Sequence, residues 1–406
     1  MSTAQVFFNP LDPDVRANPY PHYAELRAVD PVHRSPFGLV VLTRYDDVAK
    51  VLRDARFSAN IGENASSDGI GLFGNQEQSE ARDEGFNESL LNIDPPKHTR
   101  VRGLAARAFT PKAIEAWRPR VIEMVDEILD RVADEGGCDL VSTLAFPLPF
   151  QVISELLGMP TDEREQLRAW SQAITLTLEP LITTEERLAA TEAATHMREF
   201  VEGVIEERRK TPRDNDLLSA LIAAEEEGDR LSTTELVAMV LLLFVAGHET
   251  TVNLIGNGTR LLMEHPDVLA RFRADPSLDA SAVDELLRMD GPVQFTARAT
   301  LEDVDFGVAV VEKGSVVMPV LGAANHDPAH FADPDTLILD RPNAASHMAL
   351  GSGIHFCLGA SLARLEAQVA IGRFVRRFST LDYAGEPEWA PRISLRGMAK
   401  MPLRVA

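Results

Sequence analysis

The sequence predicts a mainly α-helical protein with small β-sheets, an α+β chain forming a single large domain over residues 1–406. Two observations predict the class. From Pro111 onward, apolar residues recur at three- and four-residue spacing, the mark of amphipathic helices. Strand-like runs are short and bounded by Gly, Pro and charged turn residues. A third observation bears on domain count. At about 150 residues per domain, this length suggests two or three domains, or one unusually large one. No internal repeat, low-complexity tract or linker offers a place to cut the chain.

The elements follow in order. Residues 1–20 are rich in Pro and Asn (Asn9-Pro10, Asn18-Pro19, Tyr20-Pro21) and read as coil laid on a surface. Residues 32–35 and 39–43 flank Pro36-Phe37-Gly38 and read as a hairpin. Residues 59–88 are Gly, Ser, Asn, Glu and Asp with a few apolar residues, notably Phe73 and Phe86. A loop of that length and make-up reads as a lid over an access route. Helices are expected over 114–132, 161–177, 184–210 and 217–227, with one very long helix over 233–264 and another over 281–290. Residues 304–311 and 315–321, joined by Glu312-Lys313-Gly314, read as a second hairpin. Residues 322–356 are irregular, and 360–378 form a last long helix.

Composition excludes several classes. With 45% hydrophobic and 25% charged residues, the chain is neither disordered nor fibrous. It is long enough to enclose a sizeable ligand. A net charge of −22 repels nucleic acid backbones and anionic lipid, so nucleic acid is not an expected partner. Two cysteines, Cys138 and Cys357, make neither a disulfide framework nor a zinc-finger set. The opening Met-Ser-Thr-Ala-Gln-Val has no basic region and no apolar core. The longest apolar run, 236–247, is about twelve residues, against about 20 for a membrane span. The expectation is a cytoplasmic protein with one very buried helix.

The most informative stretch is residues 347–360, His-Met-Ala-Leu-Gly-Ser-Gly-Ile-His-Phe-Cys-Leu-Gly-Ala. Gly351, Gly353 and Gly359 surround Cys357, permitting tight turns and close backbone approach to something bulky. Cys357 stands just before a helix, whose free N–H groups and dipole favour a thiolate. Such a thiolate serves as nucleophile, redox thiol or metal ligand. A dithiol motif needs a second nearby cysteine. A cysteine hydrolase needs a positioned base, for which His355 is a weak clue. A single thiolate ligand to haem iron fits the pattern. Cys138 reads as a buried, inert thiol.

A second stretch places Ala246-Gly-His-Glu-Thr-Thr251 in the apolar helix. An acid there must be paired, protonated or solvated. Threonine hydroxyls compete for backbone carbonyls, and Gly247 weakens the turn, so a distorted helix with a polar notch is expected. A His-Glu-x-x-His zinc motif fails, because the fourth position after His248 is Val252. Glu285-Leu-Leu-Arg288 pairs an acid and a base on one helix face, and His98-Thr-Arg-Val-Arg102 is a basic cluster. Taken alone, the first is a common surface salt bridge and the second is usually a solvated face.

The cysteine stretch resembles the haem-binding signature of the cytochrome P-450 family, Phe-Gly-x-Gly-x-His-x-Cys-x-Gly. Gly351, Gly353, His355, Cys357 and Gly359 match it, followed by Ala360; Leu350 stands where the family usually has Phe. The four motifs occur in the family's order, and the resemblance spans nearly the whole chain. It implies one haem-enclosing domain with haem b (iron protoporphyrin IX) and Cys357 as its axial thiolate. Glu249 would relay protons, and Thr250 would hold water beside the oxygen. His98, Arg102, Arg298 and His355 would bind the haem propionates. Glu285 and Arg288, joined by Arg341, would support the cysteine loop. By analogy the substrate pocket draws on Phe73, Leu178, Val245, Ala246, Val293, Phe295 and Met398.

The implied activity is a haem-thiolate monooxygenase acting with dioxygen on a lipophilic small molecule. Electrons would come from a ferredoxin or flavodoxin with its NAD(P)H-dependent reductase. Such partners are commonly acidic, so docking needs a local basic patch, for which Arg100, Arg107, Lys112 and Arg364 are candidates. The rivals are a peroxide-driven peroxygenase, a haem sensor or electron-transfer protein, and a cysteine hydrolase without haem. Glu249 with Thr250 argues against the first, and a substrate pocket against the second.

Overall fold

The computed structural model describes residues 9, 12–66, 88–160, 163–179, 182–213, 216–226 and 229–406. The chain divides into two compact units, each drawn from three stretches of sequence. The first takes Met1–Ser79, Asn257–Cys357 and Glu388–Ala399; the second takes Glu80–Gly256, Leu358–Pro387 and Lys400–Ala406.

The first unit is built on a five-stranded sheet. Its order is Val32–Arg34, Leu39–Leu42, Val316–Pro319, Arg298–Thr300, Phe57–Ser58. Leu39–Leu42 runs antiparallel to Val32–Arg34 and parallel to Val316–Pro319, with Leu39 opposite Val316. Side chains alternate between faces along a strand. Val40, Leu42 and Val317 pack with Val48, Val51 and Leu52 of the helix Tyr45–Arg53. Leu39, Val41, Val316 and Met318 pack with Tyr23 and Leu26 of the helix Tyr20–Val29. Both faces of this sheet are therefore covered, which is why its strands read as continuous apolar runs.

Two expectations fail here. Residues 12–20 are not coil throughout: Asp12 accepts the Asp14 N–H and caps the helix Pro13–Ala17, and Tyr20–Val29 follows with Pro21 in its first turn. Proline at a first turn starts a helix, because its missing N–H would have no partner there. The second hairpin also lies elsewhere. Val304–Asp305 pairs with Val310–Val311, the chain turning back where Phe306 N–H donates to Ala309 O at 3.0 Å. Val316–Pro319 joins the large sheet instead.

The second unit is mainly helical. The region read as one helix over 114–132 breaks into Pro111–Glu115 and Arg118–Glu135, with Pro119 in the second helix's first turn. Arg118–Glu135 packs against Ala360–Arg377, where Arg373 forks onto Asp126 with both bonds at 2.6 Å. Arg164–Thr175 packs on Thr184–Lys210, which begins with a Thr183/Glu186 capping box. Leu217–Ala223 is shorter than expected, since Glu225–Glu226 turns into a strand pair with Asp229–Arg230. A three-stranded sheet places Pro402–Val405 between Leu381–Tyr383 and Gly137–Asp139.

The long helix spans Thr233–Glu264, 32 residues. Its start is fixed reciprocally: Glu235 N–H donates to Ser232 Oγ at 3.1 Å, and Ser232 N–H to Glu235 Oε2 at 2.9 Å. Length and mean hydropathy alone would let it cross a membrane, but 67% of its most apolar window is buried inside the protein, as in a core helix.

Candidate functional site

In the first unit the cysteine loop is a tight backbone structure. Cys357 N–H donates to Leu350 O at 2.9 Å, and Gly351 N–H donates to Met348 O at 2.8 Å. Gly353 has φ +68°, and a Cβ there would lie 2.3 Å from Leu52 O in the helix Tyr45–Arg53. No larger residue fits that position without moving backbone. His355, between the exposed Ile354 and Phe356, is half-buried, and so is Cys357 just after them. Two residues beyond Cys357, Gly359 is the N-cap of Ala360–Arg377, with no described protein atom within 4 Å of where its Cβ would stand.

Behind this loop lies a buried charge cluster. Glu285 accepts from Arg288 Nε at 2.7 Å and Nη2 at 2.8 Å, from Arg341 Nε at 3.0 and 3.1 Å, and from Ile338 N–H at 3.0 Å. Arg288 also donates to Asn325 O and Pro334 O, and Arg341 to Ala332 O, Asp333 O and Thr336 O. One carboxylate and two guanidiniums thus pin the irregular chain from 325 to 341. The structure brings Glu285, Arg288 and Arg341 together, which sequence spacing alone did not require.

Arg298 is buried on its strand and donates to Thr296 Oγ1 at 3.1 Å and Ala297 O at 2.7 Å. Val293 bridges to Leu395 and Phe295 to Val320. Phe295 belongs to the core packing beneath the sheet, and Val293 packs against the other core cluster. Met398 is buried on the strand Met398–Lys400.

A neighbouring cluster escaped sequence reasoning. Asp290 accepts from Tyr20 Oη at 2.5 Å, Arg396 Nε at 2.6 Å and Arg260 Nη2 at 2.9 Å. Burial alone would raise the Asp290 carboxyl, but Arg396 and Arg260 hold it below its ordinary range. Asn257 Nδ2 donates to Asp290 O and Arg396 O. This network ties segment 395–398 to the ends of two helices. Its one sequence signal was Arg396 standing between Leu395 and Gly397 in an apolar stretch.

In the second unit, His98 is buried and Arg102 half-buried one turn later on the helix Lys97–Ala108, so both share a face. On the long helix, Thr250 Oγ1 donates to Ala246 O at 3.0 Å and Thr251 Oγ1 to Gly247 O at 3.1 Å. The helix nevertheless runs unbroken through Gly247, contrary to the expected distortion. These bonds go to carbonyls already within the ladder, and the Gly247 site leaves 3.6 Å to Ile153. His248 is fully buried, its Nδ1–H donating to Phe244 O at 2.9 Å, among the rings of Phe146, Phe150 and Phe244. Glu249 Oε2 lies 3.7 Å from His248 Nε2, beyond a hydrogen bond, and the Glu249 side chain is 13% exposed.

Val245 is buried, while Ala246 and Leu178 are half-buried. Phe73 and residues 67–87 of the expected lid lie outside the described residues. Of the basic candidates, Arg107 and Lys112 are exposed and Arg364 is half-buried. Arg100 is engaged by the Glu235 carboxylate. Cys138 is half-buried, and burial, then Asp139 and Glu135, pushes its thiol up to about 11.

The first unit therefore offers one thiol on a backbone-fixed loop, with Arg298 and His355. The second offers His98 and Arg102. A thiol before a helix N-terminus, and the cationic donors that each unit carries, are the chemistry an iron macrocycle with two carboxylates calls for, so the residue types present fit haem.

Comparison with known proteins agrees. The family model described as Cytochrome P450 matches residues 32–402. Cytochrome P450 107B1 of Saccharopolyspora erythraea is 42% identical over 394 residues, 94% of each chain. The cytochrome P450 monooxygenase PikC of Streptomyces venezuelae is 41% identical, over 97% of this chain and 92% of its own. The solved structure of PksS, the cytochrome P450 of the Bacillus subtilis bacillaene polyketide synthase, superposes with a TM-score of 0.90 at 33% identity, over 98% of this chain and 100% of that one. Likeness of this extent runs the length of the fold rather than through a motif, and the chain belongs to the cytochrome P450 family, an oxygen-incorporating oxidoreductase with haem held by a cysteine thiolate.

Proposed function

We propose that this enzyme hydroxylates or epoxidises a lipophilic small molecule, with electrons delivered by a separate ferredoxin. Bound haem supplies the binding and reduction of dioxygen. Cys357 would hold the haem iron through its sulfur, and the helix that follows favours the thiolate form. His98, Arg102, Arg298 and His355 bind the propionates. Glu249 carries protons inward along the long helix, and Thr250 holds the water that passes them on. The observation that carries this reading is the Glu249-Thr250 pair on an unbroken, largely buried helix. A peroxide-driven enzyme takes both protons of the departing water from the peroxide itself and needs no supply of protons from solvent.

Polyketides are the first substrate class to test. The pocket candidates Val245, Ala246, Val293, Phe295 and Met398 are apolar, and the solved relative PksS is named for a polyketide synthase. For the electron donor, Arg107, Lys112 and Arg364 supply the docking charge. Pro111–Glu115 packs on Ala360–Arg377, which brings the helices bearing Lys112 and Arg364 side by side.

The test is turnover of a macrolactone with NADPH, a ferredoxin and its reductase, comparing wild type with Thr250→Ala. The expected result is unchanged substrate binding with product per NADPH falling at least about tenfold. Equal coupling in both proteins, or turnover with peroxide only, would refute it. Charge reversal at Lys112 should slow reduction without altering the substrate-induced spectral shift; equal reduction rates would exclude that docking face.

A further inference from the structure

The run leading into the cysteine loop is held residue by residue. His347 N–H donates to Ala344 O at 2.9 Å and Met348 N–H to Asn325 Oδ1 at 2.6 Å. Ala349 N–H donates to His347 Nδ1 at 3.1 Å, and Gly351 N–H to Met348 O at 2.8 Å. Cys357 N–H then docks on Leu350 O at 2.9 Å. In this series, the Ala349 amide is the one held by an ionisable side chain.

The His347 side chain is 1% exposed, and its Nε2 lies 3.4 Å from Asp284 Oδ1, close enough for electrostatic attraction but without the alignment of a hydrogen bond. Because Nδ1 accepts an amide proton, it must present a lone pair, which places the ring proton on Nε2, facing the carboxylate. Asp284 directly precedes Glu285 on the helix Asp279–Asp290, and that helix packs on the turn Ala344–Ser346. Two consecutive carboxylates of one helix thus face different tasks. Glu285 grips Arg288 and Arg341, and Asp284 faces the histidine.

We propose that His347 is a positioning residue for Cys357: its Nδ1 fixes the Ala349 amide, and with it the Leu350 carbonyl that receives the Cys357 N–H, while Asp284 selects the tautomer that leaves Nδ1 able to accept. The proposal rests on Cys357 being the axial ligand. A side-chain acceptor on Cγ taking the N–H two residues on is the geometry of an Asx-turn. Asparagine at 347 therefore keeps the acceptor, whereas leucine, closer to histidine in volume, removes it. Packing alone ranks Leu above Asn at a buried site; the acceptor ranks Asn above Leu.

The experiment compares holoprotein of wild type, His347→Asn, His347→Leu and Asp284→Asn. Amide hydrogen exchange is read over residues 348–357, and the Soret band of the reduced carbon monoxide complex is recorded. Expected for His347→Asn are exchange within about twofold of wild type and retention of the strongly red-shifted thiolate band. Expected for His347→Leu are Ala349 exchange about fivefold faster, the effect of one lost hydrogen bond, and partial loss of the red-shifted band. Asp284→Asn, which leaves the ring in place, is expected to speed Ala349 exchange about twofold. Leu behaving as wild type, or Asn behaving as Leu, would overturn the proposal, and unchanged exchange in Asp284→Asn would overturn the tautomer argument. If the thiolate reading itself fails, wild type lacks the red-shifted band. If only this proposal fails, wild type has the band and exchange at Ala349 is indifferent to leucine.

Discussion

Replacing Arg341 by Met tests how the buried charge cluster is balanced. Glu285 is fully buried and accepts from Arg288, Arg341 and the Ile338 amide. Removing Arg341 leaves Glu285 and Arg288 as a one-to-one pair with its own two bonds and the Ile338 bond intact. The loss is the two bonds from Arg341 to Glu285 and those to Ala332 O, Asp333 O and Thr336 O. Thr336 O keeps a 3.4 Å contact with Arg288 Nη2, and Ala332 and Asp333 are exposed, so water can replace the donors lost at their carbonyls. The effect falls on the two bonds to Glu285; at about 1.5–3 kcal/mol for hydrogen bonding to a charged group, the expected cost is about 2 kcal/mol. Glu285→Gln leaves two buried guanidiniums and no carboxylate, which is worth about 5 kcal/mol. The assay is the urea midpoint of each holoprotein, followed by far-UV circular dichroism and by the Soret band. Midpoints are compared directly, since a cofactor-bound chain need not unfold in two states. The expected order is wild type, Arg341→Met, Glu285→Gln. A midpoint for Arg341→Met as low as that of Glu285→Gln would refute the charge argument.

Three further outcomes follow from geometry and burial. Gly353→Ala combines a positive φ with a Cβ 2.3 Å from Leu52 O, whereas Gly136→Ala has a similar φ of +71° and open space; the first should lower the melting temperature clearly more than the second, which should cost about 1–2 kcal/mol, and equal losses would show that the cysteine loop does not need that close approach. Glu366 is buried on the helix after the cysteine, its Oε2 without a hydrogen-bond partner among the described residues, and burial raises its carboxyl well above the ordinary range. A raised acid contributes stability below the unfolded-state value of about 4.3 that is lost as pH rises toward the folded-state value, so Glu366→Gln should stabilise the protein at pH 7 and flatten its acid-to-neutral stability profile; a destabilised variant at pH 7 would contradict this. Leu350→Phe restores the ring usual beside the cysteine signature and should shift the haem reduction potential in an electrochemical titration, an unchanged potential removing any role for residue 350 in tuning the sulfur.

Elements with strong local signals were legible in sequence. Thr184–Lys210 and Thr233–Glu264 were bounded correctly because capping residues and an unbroken apolar period mark their ends. The cysteine loop announced itself through its glycines, and Gly353 shows why: its conformation and its contact both exclude a side chain. Unread elements had signals that point two ways. Proline near residue 20 marks a helix start as readily as a turn, and Tyr45–Arg53 and Pro147–Leu156 were too short or too uniformly apolar for their period to stand out. The strand Val316–Pro319 was assigned to a local hairpin, since nothing nearby shows that its neighbour is Leu39–Leu42. The Asp290–Arg396 network was invisible for the same reason: its partners lie 106 positions apart.

That parallel pairing has a consequence for how the protein is made. Leu39–Leu42 is apolar on both faces, and its partner Val316–Pro319 emerges some 280 residues later. At about 5–20 residues per second, the nascent chain carries the strand for roughly 14 to 55 s before the sheet can close. Through that interval Val32–Arg34 covers one edge and the other stays open, beside a Leu-Val-Val-Leu segment of the kind that seeds aggregation. Arg34 and Arg44 stand at either side of it, the flanking charges that keep such segments apart. Yield in a heterologous host should therefore depend on translation speed and on chaperones that shield short apolar strands, more than on the stability of the finished enzyme.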